Sequence, residues 1–197
     1  LHEKGEEIGM DFRELMKVRR AVREFQEREV PLSLAEEIIR DSCEAPSGGN
    51  KQPWSFILVT SREMIKRLSD ESKKNILQEI ENDPSGALSV YKPILEDPGF
   101  NVFYNAPCVV YIAGPRDVRS VAVDCTLAAS YFMLSAADRG LGTCWVDLGS
   151  AIRDRALQTE LGLPGDHVIV ATLILGYPVQ IPAATPRDNP KILKIIR

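Results

Sequence analysis

The chain has 197 residues, is 44% hydrophobic and 26% charged, and carries 24 Lys+Arg against 28 Asp+Glu for a net charge of −4. That is the profile of a soluble globular protein able to bury one core without staples, and its mild acidity gives no general attraction to nucleic acid. Two histidines and four scattered cysteines (Cys43, Cys108, Cys125, Cys144) with no Cys-x-x-Cys pair supply no zinc or iron–sulfur ligand set.

Residues 1–9 are charged and read as a tail without a signal peptide, with Met10 as a natural start and 10–197 as one domain. Asp11 caps a first helix, with Glu14 three residues on as a capping pair. Then comes Arg19-Arg20-Ala21-Val22-Arg23-Glu24-Phe25. Three arginines at a helix end form either a solvated face that complements the helix dipole or an anion clamp. Ser33 and Glu36 read as a second capping box, and the helix they open delivers the chain to Ala45-Pro46-Ser47-Gly48-Gly49-Asn50-Lys51-Gln52-Pro53-Trp54. Pro fixes φ and Gly reaches φ > 0, so this segment is a rigid loop with exposed backbone N–H groups. It reads either as an ordinary helix-to-strand turn or as a cradle for a phosphate, a sugar or the edge of a flat ring.

Residues 55–60 predict a strand, and Ser61 caps a helix with Ile65, Leu68, Ile76 and Ile80 at helical spacing. Lys73, Lys74 and Asn75 lie on that helix, facing either water or a ligand. Residues 82–104 carry prolines, glycines and aromatics and read as a packed excursion or a pocket wall. Residues 107–113 form a buried strand, and residues 120–139 a helix that is apolar on nearly every side and therefore central. Asp124 inside it needs a hydrogen-bond partner. Gly140-Leu141-Gly142-Thr143-Cys144-Trp145 ends that helix and starts a strand. A dinucleotide fingerprint runs in the opposite order, from strand to helix, so no Rossmann site is present. Ser150 is expected to cap a short helix, and residues 167–175 form a strand too short to span a membrane. The Pro-rich end, apolar at residues 192–196, needs a surface to dock on. Buried free thiols point to the cytoplasm.

Four segments in order resemble the nitroreductase family of flavin enzymes: the 19–25 arginine stretch, the 45–54 loop, the 140–145 turn, and Leu175-Gly176-Tyr177-Pro178 with Arg187 downstream. The likeness covers essentially residues 10–197. It implies an α+β sandwich, with a mainly antiparallel sheet between helical layers, and an intertwined homodimer holding one FMN per subunit between the subunits. On that pattern Arg19 and Arg187 hold the phosphate, with Arg20 and Ala21 beside it. Arg23 lies near the pyrimidine edge of the ring. Pro46, Ser47, Gly48 and Asn50 come from the other subunit, and Gly142, Thr143, Cys144 and Trp145 line the ring. Many members carry Ser where this chain has Ala21, so one hydroxyl contact is missing.

The resemblance further implies ping-pong hydride transfer from NAD(P)H through flavin N5 to a nitroaromatic, a quinone or a related small acceptor. No protein nucleophile or catalytic acid is needed. No metal, nucleic-acid or membrane partner is implied. Two alternatives share the same cofactor residues: a flavin-storage protein without turnover, and a specialised reaction such as reductive dehalogenation or flavin breakdown.

Overall fold

The computed structural model describes residues 10–197; the expected tail over 1–9 lies outside the described residues. Four strands form one antiparallel sheet in the order β1-β2-β4-β3, with β1 Ser55–Val59, β2 Cys108–Pro115, β3 Gly142–Trp145 and β4 His167–Gly176. Successive side chains of a strand point to opposite faces. In β2, Cys108, Val110 and Ile112 enter one core, and Val109 and Tyr111 enter the other. A sheet covered on both faces explains why β2 and β4 read as continuous apolar runs.

The first face carries α2 (Leu32–Ser42) and α5 (Val121–Asp138), through Ile38, Cys125, Ala128 and Phe132. The second face carries α3 (Arg62–Asn82), through Leu68, Ile76 and Ile80. Of the remaining helices, α1 spans Phe12–Val18, α4 Lys92–Leu95 and α6 Arg155–Glu160. The predicted α+β architecture, a mainly antiparallel sheet between helical layers, is what the chain adopts. By length and composition α5 could cross a bilayer. In this fold that composition follows from its place against the sheet and α2.

Two caps act as expected: Asp11 accepts from the Arg13 amide and Ser61 from the Met64 amide. Others differ. Glu14 pairs with Lys17 at 2.6 Å. Ser33 lies inside α2, which starts one residue earlier behind Pro31, a residue with fixed φ and no side-chain acceptor. Ser150 caps no helix. It closes the 3-10 turn Asp147–Ser150 by donating to the Asp147 carbonyl, and Asp154 caps α6 by accepting from the Leu157 amide. Residues 179–197 form no helix or strand and are exposed, with Leu193 at 96% exposure.

Candidate functional site

After α1 the chain continues extended beside β3. The Val22 amide donates to the Thr143 carbonyl at 2.9 Å, Ala21 bridges Thr143, and Phe25 bridges Pro178. This short ladder turns Val22 inward and leaves Ala21 and Arg23 facing out. Gly142 makes the close approach possible, because a Cβ there would sit 2.8 Å from Val22.

The outer side of the ladder opens into a cleft of about 430 Å³, lined by Arg19, Ala21, Arg23, Cys144 and Trp145 with Ser130 and Met133 of α5. Among the described residues, no carboxylate pairs with Arg19, Arg20 or Arg23, whereas Arg67, Arg139 and Arg153 each have one. Arg20 turns from the cleft and donates to the Arg19 carbonyl at 2.7 Å, with its buried Nε unpartnered. Burial pushes the Cys144 thiol above its ordinary range, and the charges of Arg23 and Arg19 pull it partly back.

A second cavity of about 210 Å³ shares Arg23, Cys144 and Trp145 and is walled by Leu88, Tyr91 and Tyr104. The Arg23 guanidinium lies 5.5 Å from the Tyr104 ring centroid, a cation–π distance. The 82–104 excursion is therefore a pocket wall. Val146, Asp147 and Leu148 also line this cavity, and nothing in their residue types announced it. Lys73 donates to the carbonyls of Asp97 at 2.6 Å and Phe100 at 3.0 Å, tying the excursion to α3. Buried Asn75 donates to the Ala151 carbonyl, and Lys74 lies 3.9 Å from Glu71. Lys73 and Asn75 thus tie α3 to neighbouring segments, while Lys74 is exposed.

The 46–50 loop is built from backbone conformations that side chains rarely favour. Gly49, Asn50 and Gln52 have φ of 60°, 55° and 47°. Internal bonds stabilise that shape: the Gln52 amide donates to Ser47 Oγ and Gln52 Nε2 to Asn50 Oδ1, both at 3.0 Å. Pro46, Gly48 and Asn50 are exposed. Asp124 has found its partner here, accepting from the Gly48 amide. The loop thus sits at the N-terminal end of α5, and the arginine cleft lies beside Ser130 and Met133. At 1.5 Å per residue, those positions are roughly 9–14 Å further along the helix. None of the described clefts is lined by both groups. Arg187 lies in the exposed final segment and lines none of the described clefts.

The model of the Nitroreductase family matches residues 16–177. The chain belongs to the nitroreductase family. It is 28% identical over 197 residues to a protein of Methanothermobacter thermautotrophicus provisionally named NADH dehydrogenase/NAD(P)H nitroreductase, covering 96% of this chain and 89% of that one. An iodotyrosine deiodinase of Thermotoga neapolitana is 24% identical, with 89% and 93% covered. Among solved structures, a nitroreductase with bound FMN from Desulfitobacterium hafniense superposes with a TM-score of 0.78 at 22% identity, covering 92% of this chain and 96% of that one. An iodotyrosine deiodinase bound to FMN and 3-iodo-L-tyrosine gives a TM-score of 0.72 at 24% identity, with 91% and 96% covered. These superpositions agree with the fold of this nitroreductase-family chain.

Proposed function

We propose that this protein is an FMN-dependent oxidoreductase that works as a homodimer and uses NAD(P)H and a small acceptor such as a nitroaromatic or quinone. The observation that carries the reading is the pair Arg19 and Arg23, which line an open cleft beside Trp145 and have no carboxylate partner among the described residues. Two guanidinium groups without carboxylates are the donor set that a phosphate and an electron-rich ring edge require. The donors therefore fit FMN, as do the FMN-bound family structures.

Arg19 holds the phosphate, with Arg187 as a second cation. Arg23 supports negative charge on the pyrimidine side of the ring. The backbone of residues 142–145 borders the ring, and Ala21 adds no hydroxyl. Tyr91, Tyr104 and Trp145 keep water from the reacting face and give a flat acceptor something to lie against. When bound, the flavin supplies the chemistry of accepting a hydride and passing the electrons on. No side chain is assigned as catalytic acid or base.

The 46–50 loop belongs to the cofactor site of a second copy, since in its own chain it lies well along α5 from the arginines. Support for the dimer comes from the outer face of α5, where Val123 is 63% and Tyr131 40% exposed, and from the apolar end at residues 192–196. Exposed apolar residues of that kind are what an interface would cover. Free thiols at all four cysteines suit a cytoplasmic setting. The relationship to iodotyrosine deiodinases keeps reductive dehalogenation as a second reading of the same site.

The test is a visible spectrum of the purified protein followed by anaerobic NAD(P)H titration with a panel of acceptors. About one FMN per chain, bleached by NAD(P)H and reoxidised by acceptor, is expected. A colourless protein that takes up no FMN overturns the reading. Bound flavin that NAD(P)H does not reduce leaves the cofactor and overturns the donor. Product analysis with halogenated phenols separates the dehalogenase.

A further inference from the structure

Asp124 is 2% exposed, within a largely apolar helix. A buried carboxylate is costly unless it is hydrogen-bonded, so its position calls for a reason. Its two oxygens are committed separately. Oδ1 accepts from the Gly48 amide at 3.0 Å, and Oδ2 accepts from Ser120 Oγ at 2.7 Å. Gly48 lies against this pair so closely that a Cβ would stand 2.9 Å from Ser120 Oγ. Ser120 is also the residue from which α5 starts. The first turn of α5 therefore grips the loop at one backbone amide, immediately before its left-handed residues Gly49 and Asn50.

We propose that Asp124, braced by Ser120, is the positioning residue for the flavin loop: it fixes residues 47–50 in the conformation they present to a second copy's cofactor. This rests on the functional reading above. The physical case is preorganisation. A loop with Gly49, Asn50 and the adjoining Gln52 at positive φ is held only where its surroundings over-determine it. Its internal bonds from Gln52 set its shape but not its attitude to the rest of the molecule. The Asp124 bond sets the attitude, because it ties the loop to α5, whose outer face carries the proposed dimer contact. Ordering the loop before the ligand arrives removes that cost from binding. Charge-assisted acceptance from a backbone amide is also among the stronger hydrogen bonds available.

The test uses flavin titration by fluorescence quenching, together with hydrogen exchange at the amides of residues 48–50 in flavin-free dimer. Asp124→Ala is expected to raise exchange at these amides and to weaken FMN about tenfold. Asp124→Asn keeps an oxygen that can accept from the Gly48 amide, so it should restore most of both. Ser120→Ala removes the brace without opening the core and should give a smaller change, about threefold. Gly48→Ala should mimic Asp124→Ala and be partly relieved in combination with Ser120→Ala, which deletes the closest atom. Unchanged exchange and affinity in Asp124→Ala overturn the proposal. So does an Asp124→Asn protein as impaired as Asp124→Ala, which would mean that an oxygen accepting from the Gly48 amide is not what holds the loop. If Asp124→Ala does not fold, Ser120→Ala and Gly48→Ala decide by the same two readouts. A parent protein that binds no FMN defeats the cofactor reading instead, and the exchange data still show whether the loop is clamped.

Discussion

The arginine ladder and the 46–50 loop carry complementary chemistry and are held by opposite means. The ladder is fixed by the Val22–Thr143 backbone bond and the Gly142 contact, and among the described residues Arg19 and Arg23 have no carboxylate partner. The loop is fixed through side chains, Asp124 from outside and Gln52 with Ser47 from within, and its exposed surface is glycine, proline and asparagine. The two regions are thus held by different means and leave different groups at the surface. The ladder leaves arginine side chains at the cleft, whereas the loop leaves Pro46, Gly48, Gly49 and Asn50 on the surface.

The largest effect expected from breaking this division is on the ladder's free charge. Arg19→Ala should weaken FMN by about ten- to 150-fold, as expected for losing a charged hydrogen-bond partner worth roughly 1.5–3 kcal/mol. Its melting temperature without flavin should stay near that of the parent. Equal FMN affinity would make the cluster a solvated helix end. Next, Gly142→Ala attacks the backbone that fixes the ladder. Its methyl meets Val22, and overpacking of that kind costs about 1–3 kcal/mol of stability, read by urea unfolding. Unaltered stability would mean that Val22 moves aside freely.

Arg20→Ala sharpens the contrast within the ladder. Its guanidinium is spent on the Arg19 carbonyl, so FMN affinity should change by less than about threefold. A loss as large as that of Arg19→Ala would place Arg20 on the phosphate. The smallest effect concerns a paired arginine. Glu160 is held below its ordinary value of 4.5, chiefly by its hydrogen bond from Arg67. A depressed carboxylate contributes stability above its unfolded pKa and loses it as pH falls through the folded one. The small difference in melting temperature between parent and Arg67→Ala should therefore be constant near neutrality and close as pH drops below about 4.5. A difference that persists in acid would point to packing of the Arg67 stem. FMN affinity should be the same in both proteins.

Much of this was legible in the residues. The all-round apolar helix at 120–139 and the continuous runs in β2 and β4 could only belong to a sheet covered on both faces. The odd carboxylate at Asp124 announced a partner, although the sequence did not say that the partner was the Gly48 amide. The Ser33 and Ser150 caps were misplaced for a physical reason: Ser three residues before Glu, or before an apolar run, is a local signal that a neighbouring Pro31 or Asp154 outcompetes. Residue type alone does not separate Arg19 from Arg20, and only the resemblance assigned the phosphate to Arg19. Adjacent residues at a helix end point in different directions, and only the exit angle set by the Val22–Thr143 bond shows which one faces the cleft. Likewise Asp147 and Leu148 reach the second cavity through a 3-10 turn that their composition does not betray.

The central claim is that one cofactor site is assembled from the ladder of one subunit and the loop of another. Mixed dimers test it most directly. One chain carries Arg19→Ala and the other Gly48→Val, each parent homodimer having lost tight FMN binding. In a mixed dimer the shared-site arrangement leaves one site doubly damaged and the other fully intact. The account predicts one FMN per two chains, bound with the affinity of the unmodified protein. Mixed dimers that bind no FMN tightly would contradict it, since a site contained within one chain is damaged in both partners.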